Sequence, residues 1–463
     1  MVTQWSVAIL TGFLMVACAA DPAALSGPTA PKHSVAGNPV LAAAAVVAAP
    51  PAVDDADPVA SAARREGTVR VVVYLHDPAQ LDDPGREAAV ARVQAAVLQR
   101  LPQADFRLVR RYGLVSALAG VATVQGIGIL RTLPEVAAVW RDGTVAANLA
   151  QTAALVQAPQ ARKQFGVTGK GVRVAVIDSG IEATHPDLAG RVAAEKCLAT
   201  GACAPGNTDS GSSAKDDNGH GTHVSSIIAG NGVVAAPGMA PGSQIVAVRV
   251  LGKNGSGYDS DIVAGLDWVA QHAVELNVRV VNMSLGSSNV YASKCDASQP
   301  ATAQAVQLLK AKKVSVFAAA GNDGATSGLS APACVSDVVS VGAVYDANVG
   351  PRFYPGLCSD TTTAPLQMTC FSNRSASLDL VAPGAIVTAA GLGGKTAQMS
   401  GTSQASPVAA GVAALVLSCK PTLQPAALRT LLRKTGKLVP DSMTGKSHPL
   451  VQALAAVTSA CSK

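Results

Sequence analysis

Hydrophobic and polar positions fall into two regimes along this chain, and the regimes meet near residue 150. Before that point the pattern is short and mixed. Residues 69–75, Val-Arg-Val-Val-Val-Tyr-Leu, read as a strand, and 85–101 as a helix with Ala89, Val93, Ala96 and Val97 on one side. Strand-like 106–109 and 117–121 follow, then a short helix over 124–133 and a last strand at 136–140. Strand, helix, strand, strand, helix, strand is the order of a small α+β unit of the split βαβ type. After Gln151 the strands change character. Residues 172–177, 245–250, 278–283 and 314–319 are apolar at almost every position and alternate with helical stretches such as 259–275 and 301–311. A strand that is apolar on both sides is covered on both sides, so this region is expected to be α/β, a mainly parallel sheet with helices on both faces.

Upstream of both regimes, residues 7–20 form an apolar run ending in small residues, suited to a signal-peptide core and too short to span a bilayer. It predicts export, although Met1-Val2-Thr3-Gln4 carries no Lys or Arg. Leu14-Met15-Val16-Ala17-Cys18 resembles a bacterial lipobox with Met15 where Leu is usual. Two outcomes stay open: loss of Cys18 with an ordinary signal peptide, or a membrane tether through lipidated Cys18. From 21 to 65, Ala, Pro, Val and Asp without a period read as a flexible linker. The expected division is a signal peptide at 1–20, linker at 21–65, the small α+β unit at 66–146 and the α/β domain at 147–463.

Composition narrows the function classes. Charged residues are 14% of the 463, and Ala, Val and Gly dominate, which predicts a tightly packed, small-residue interior. The net charge of +6 is spread without a Lys/Arg block and aromatics are 3%, so nucleic acid is not the expected partner. Of nine cysteines, eight remain without Cys18, an even number that suits four disulfides in an oxidising compartment. Eight cysteines allow on the order of a hundred connectivities. Proximity along the chain favours Cys197 with Cys203, Cys295 with Cys334, Cys358 with Cys370, and Cys419 with Cys461.

Three segments carry reactive side chains on glycine-rich turns: Val176-Ile177-Asp178-Ser179-Gly180, Asn218-Gly219-His220-Gly221-Thr222-His223 and Gly401-Thr402-Ser403-Gln404-Ala405-Ser406-Pro407. A serine hydroxyl needs a base to take its proton and a buried acid to orient that base. Asp178 lies at the end of a buried strand, where open α/β sheets place their crevices. His220 is expected to begin a helix and project into that cleft. Ser403 opens another helix, so its N–H and the helix's positive end lie near any oxyanion formed by attack. Singly, each residue is more often a cap or a turn. All three in one chain point to a nucleophilic enzyme.

With these blocks quoted, residues from roughly 169 to 417 resemble the subtilisin-like serine peptidases. Val250-Leu251-Gly252-Lys253-Asn254-Gly255-Ser256-Gly257 and Ile262-Val263-Ala264-Gly265 resemble the proteinase K branch in particular. The resemblance implies that Asp178 orients His220, that His220 acts as general base and then acid, and that Ser403 is the nucleophile. Asn322, in Ala318-Ala319-Ala320-Gly321-Asn322, is implied as a donor to the oxyanion. Substrate binding by strand addition is implied for Ser284-Leu285-Gly286 and Gly255-Ser256-Gly257, with Ala319, Ala320 and Gly321 lining the first specificity pocket. Those small residues suit apolar or aromatic side chains before the cut, and Asp323 at the rim adds basic ones. The unit at 66–146 resembles the ferredoxin-like inhibitory propeptide of these enzymes. The implied protein is a secreted, monomeric endopeptidase acting on proteins and peptides, blocked by its own propeptide until processed between 140 and 157.

Gln404 departs from the family, which commonly has Met beside the nucleophile, and its presence predicts greater resistance to peroxide. Residues 350–371 are an added loop, closed by Cys358 and Cys370, whose role is not legible. The implied chemistry requires no cofactor. The family admits a structural calcium ion, but Asp209, Asp216 and Asp217 lack EF-hand spacing and read as solvated surface. His220 and His223 lack the His-Glu-x-x-His pattern of zinc peptidases, and His185 reads as part of a turn. Gly394-Lys395-Thr396 and Gly445-Lys446-Ser447 lack the upstream glycine of a phosphate loop. Two rivals fit less well. A silent binding protein of the same fold would have a broken triad, and an acid-acting sedolisin-type enzyme would have Glu where His220 stands. Because His must be neutral to act as base, activity is expected to fall below about pH 6–7.

Overall fold

The computed structural model describes residues 57–80, 83–142, 144–147, 152–350, 352–354 and 357–461. The signal segment, Cys18 and the linker up to residue 56 lie outside the described residues. The end of the expected linker is instead a helix, α1 (Pro58–Glu66), whose first turn is capped by the Asp57 carboxylate accepting the Val59 N–H at 2.9 Å. Val59, Ala60, Ala62 and Ala63 are buried in the core of the small unit. The helix's Asp57-Pro58 start and the apolar face of Val59, Ala60 and Ala63 are local signals, obscured in the sequence by the Ala/Pro-rich surroundings that read as linker.

The rest of the small unit runs β1 (Val69–Leu75), α2 (Arg86–Leu98), β2 (Phe106–Arg111), β3 (Ala117–Ala122), α3 (Val124–Thr132) and β4 (Val136–Arg141). Its strands pair antiparallel in the order β2-β3-β1-β4. A further short strand, β5 (Thr144–Ala147), leaves this unit and joins the larger one.

The larger unit continues with α4 (Ala158–Phe165), β6 (Arg173–Asp178), β7 (Val192–Cys197), α5 (His220–Ala229), β8 (Gln244–Arg249), β9 (Ser256–Tyr258), α6 (Asp259–His272), β10 (Val278–Met283) and β11 (Leu285–Ser287). Next come β12 (Val290–Tyr291), α7 (Pro300–Ala311), β13 (Ser315–Ala319), β14 (Leu329–Ser330), β15 (Val338–Val344), β16 (Arg352–Tyr354) and β17 (Cys358–Asp360). The chain closes with β18 (Leu380–Pro383), β19 (Val387–Gly391), β20 (Lys395–Met399), α8 (Thr402–Cys419), α9 (Pro425–Thr435), β21 (Lys437–Asp441), β22 (Lys446–Leu450) and α10 (Ala453–Cys461).

Nine strands form the main sheet in the order β21-β22-β18-β15-β13-β10-β6-β8-β7, parallel except for the antiparallel β21–β22 pair at one edge. Alternation sorts side chains between two cores. Val174 and Val176 join Val224 and Val412 on one face, while Ala175 and Ile177 join Ile262 and Leu266 on the other. From β6 the chain winds one way to β7 and β8, then crosses back to β10 and beyond, which makes the carboxyl end of β6 the switch point where such sheets bind ligands. The four expected cysteine pairs are those at bonding distance in the structure.

The small unit lies against α6 and α7. Asp267 accepts the N–H groups of Gly113, Leu114 and Val115 at 2.8–3.1 Å, and Asp142 accepts both the N–H and the hydroxyl of Ser260 while pairing with Arg70. Burial pushes both carboxyls up from their ordinary range, and these donors pull them back. Arg110 is buried against Asp261 at 2.6 Å.

Helix α8 packs between the sheet and α5, and Leu415 within it is fully buried. Replacing Leu415 by Ala in an inactive Ser403→Ala background is expected to lower stability by about 2–5 kcal/mol, measured by denaturant unfolding.

Candidate active site

The three glycine-rich segments converge at the carboxyl edge of the sheet. Asp178 is the last residue of β6 and His220 the first of α5, and both are almost fully buried, at 0% and 1% exposure. The His220 Nδ1–H donates to Asp178 Oδ1 at 2.7 Å, and the same oxygen accepts the Ser179 N–H. Asp178 Oδ2 is buried without a hydrogen-bond partner among the described residues. Close packing of α5 on the Asp178 turn requires glycine at position 221, where a Cβ would stand 2.2 Å from the Gly180 carbonyl oxygen.

Sequence reasoning missed the group that ties these two segments together. Asp216, read as solvated surface, is 4% exposed. Its Oδ1 accepts from Ser179 Oγ, Asn218 N and Gly219 N, and its Oδ2 accepts from both the N–H and the hydroxyl of Thr222. Ser179 Oγ in turn accepts the Gly221 N–H at 2.9 Å. One carboxylate therefore clamps the residues on either side of His220 to the neighbour of Asp178. These bonds use the lone pairs that a calcium ion would need, and Asp217 is paired with Arg249, so neither residue fits a calcium site. Asp209 accepts the Gly201 N–H, and no cluster of three or more His, Cys, Asp or Glu side chains suited to a metal occurs among the described residues.

Ser403, 1% exposed, is the second residue of α8. Its carbonyl would normally accept the N–H four residues on, but that residue is Pro407, which has none. The Ser284 hydroxyl donates to this carbonyl instead. Ser284 Oγ is itself held by Asn282 Nδ2, and Asn282 Oδ1 accepts from Ser406 Oγ. Ser284, expected beside the substrate, thus has its side chain turned to the nucleophile segment and keeps only main-chain groups for a ligand.

Asn322 follows Gly321, whose φ of +106° and crowding against Asn373 and Ser330 exclude a side chain. The Asn322 Oδ1 accepts the Thr402 N–H at 2.7 Å and the Thr402 hydroxyl at 3.1 Å. These two bonds orient the Asn322 amide by its oxygen. Asp323 Oδ2 accepts from Asn373 Nδ2 and Ser330 Oγ, so the rim carboxylate expected to favour basic side chains is partly committed to the loop.

Gln404 donates to His223 Nδ1 at 3.4 Å, which brings the first turns of α5 and α8 together. His223 Nε2–H reaches the Ala397 carbonyl, and burial first, with His220 nearby, pushes the His223 pKa down to about 3. His223 therefore stays neutral over the working range and places no second positive charge beside His220. Gln404 Nε2 also lies 3.9 Å from Met399 Sδ, so an oxidisable sulfur is still present against the neighbour of Ser403.

The two expected substrate walls flank this centre. Strand β11 carries Leu285 and Gly286, and β9 begins at Ser256 and includes Gly257, with Gly255 in the turn before it. Strand β5 lies between them, antiparallel to both: Ala147 pairs with Leu285, Ala146 with Gly286 and Ser256, and Val145 with Ser287 and Gly257. Ala319 ends β13, and Ala320 and Gly321 continue into the Asn322 turn.

A parallel sheet with this pair at its switch point and a serine-bearing helix opposite is the architecture of a hydrolytic enzyme that uses a nucleophile. Comparison with known proteins specifies which. The model of the Subtilase family matches residues 169–449. M-protease of Shouchella clausii (strain KSM-K16) is 33% identical over 353 residues, covering 75% of this chain and 81% of that one. Subtilisin E of Bacillus subtilis (strain 168) is 34% identical over 359 residues, 75% of this chain and 82% of its own length. Subtilisin Savinase of Lederbergia lenta is 38% identical over 281 residues, 60% of this chain and 88% of its own. A crystal structure of a cold adapted subtilisin-like serine proteinase superposes with a TM-score of 0.49 at 33% identity, over 62% of this chain and 90% of that one. The chain belongs to the subtilase family and is a subtilisin-like serine peptidase. The family model and the sequence relatives support the family and do not single out the proteinase K branch.

Two outcomes follow from this geometry. Replacing Asp216 by Ala removes donors' partners on both sides of His220, so kcat is expected to fall by roughly 10–100-fold with KM nearly unchanged, in steady-state assays on a peptide substrate. Peroxide is expected to inactivate the wild type more slowly than Gln404→Met, with the remaining loss reduced by Met399→Leu, as followed by residual activity.

Proposed function

We propose that this chain is the precursor of a secreted serine endopeptidase that cuts proteins through an acyl-enzyme on Ser403. The observation that carries the reading is the 2.7 Å contact between the buried His220 and Asp178 at the switch point of the sheet. With Nδ1–H held by the carboxylate, the other ring nitrogen, Nε2, carries the lone pair that takes the Ser403 proton as Oγ attacks the peptide carbonyl. The same nitrogen then returns that proton to the leaving amine, and water repeats the cycle to free the enzyme. Negative charge on the tetrahedral oxygen is stabilised by the Ser403 N–H, the positive end of α8 and Asn322 Nδ2.

Main-chain pairing with β9 and β11 is the proposed mode of substrate binding, with Ala319, Ala320 and Gly321 lining the pocket for the side chain before the cut. The course of β5 between those walls supports the further reading that residues 66–146 are an inhibitory propeptide whose own tail fills the cleft until it is cut, between 140 and 157. Four disulfide pairs favour an oxidising location, extracellular or periplasmic.

Casein hydrolysis is expected to vanish in Ser403→Ala and to fall about 10²–10³-fold in Asn322→Ala. The wild-type rate is expected to drop on acidification below about pH 6–7. A maximum near pH 4, or unchanged turnover without the Ser403 hydroxyl, would contradict the mechanism.

A further inference from the structure

Residues 350–371 take no part in the chemistry just described, yet they are rooted beside it. The root is the end of β15. The Val344 carbonyl accepts the Gly384 N–H at 2.9 Å, and the Gly384 carbonyl accepts the Gly401 N–H at 3.0 Å, two residues before Ser403. Strands β16 and β17 pair as an antiparallel ribbon whose turn end is tied to Cys370 by the Cys358 disulfide. The ribbon is pinned inward through Tyr354, which packs edge-on against Phe371 at 4.8 Å and shares a hydrogen bond with the Tyr345 hydroxyl at 3.0 Å. Asp360 secures the other strand by accepting the Tyr345 hydroxyl at 2.7 Å and the Cys370 N–H at 2.9 Å. With Tyr354 held inward, its neighbour on the strand, Phe353, faces solvent and is 74% exposed; Leu357 is 47% exposed. A disulfide, a hydrogen-bonded tyrosine pair and a carboxylate thus hold two large apolar side chains in water, an arrangement that costs free energy unless something covers them.

The course of the chain itself shows which side of the cleft this is. Strand β5 occupies the walls before the nucleophile and ends at Ala147; five residues on, Thr152 donates its hydroxyl to Asp346, at the root of the ribbon. Five residues span at most roughly 18 Å, so a polypeptide that enters between β9 and β11 leaves the centre toward the ribbon.

We propose that the Cys358–Cys370 ribbon is the wall that receives the residues after the cut, and that Phe353 and Leu357 select apolar side chains there. This rests on the serine endopeptidase reading. Two internally quenched peptides with the same residues before the cut test it, one carrying Phe-Leu after the cut and the other Gly-Ser. A p-nitroanilide with the same acyl part, which has no residues after the cut, shows whether the hydrolytic centre works at all.

The full chain is expressed as wild type, as Phe353→Ser with Leu357→Ser, and as Phe353→Trp, and active sites are titrated with a serine-directed inhibitor. The ratio of kcat/KM for the apolar over the Gly-Ser peptide is expected to fall by about tenfold in the double serine variant and to persist in Phe353→Trp. An unchanged ratio, or the same loss in both serine and Trp variants, would overturn the assignment. Wild type that cleaves neither peptides nor p-nitroanilide would refute the endopeptidase reading itself, and this one with it.

Discussion

A carboxylate and an imidazole, both withdrawn from water and 2.7 Å apart, are the contact around which this structure is organised. A buried carboxylate is costly unless donors surround it, and one set on a mobile loop would relax away from its partner. Here the carboxylate ends a central strand of a sheet covered on both faces, and the imidazole begins a helix packed on that sheet. The remaining freedom, between strand end and helix start, is removed by the Asp216 carboxylate and its five donors. The site is therefore precise because its parts belong to the rigid scaffold, and the turns between them are tied by charge-assisted hydrogen bonds.

The nucleophile segment obeys the same constraint by a different route. Pro407 removes a helical donor one turn after Ser403, and the fold answers with the Ser284 hydroxyl, itself fixed by Asn282. Asn322 caps Thr402 from the other side. The first turn of α8 is thus held from both neighbouring strand ends, those of β10 and β13. The same strand ends lead into the substrate walls, which links the rigidity of the centre to the placement of a bound chain.

Much of this was legible in the amino-acid order. Strands β1 and β10 begin and end where the apolar pattern does, because each is buried by immediate neighbours. Two of the cysteine pairs, 6 and 12 residues apart, follow from proximity, while the other two join residues 39 and 42 apart. Other features depend on partners far away in sequence. Asp216 looks solvated in its polar loop, and only the arrival of Ser179, 37 residues earlier, makes it a buried clamp. The apolar face of helix α1 finds its partners in β1 and α3. Strand β5 is four residues long and exists because two walls, more than a hundred residues downstream, pair with it. The ribbon at 352–360 has no periodic signature, and its position beside Tyr345 and Phe371 follows from tertiary contacts alone.

The most direct measurement of the central claim is site mapping of a fluorophosphonate adduct by peptide mass spectrometry. The account predicts a single adduct on Ser403 in the wild type, formed orders of magnitude more slowly when His220 or Asp178 is replaced by Ala in correctly folded protein. An adduct on another residue, or equal labelling rates with and without the His220 imidazole, would contradict it.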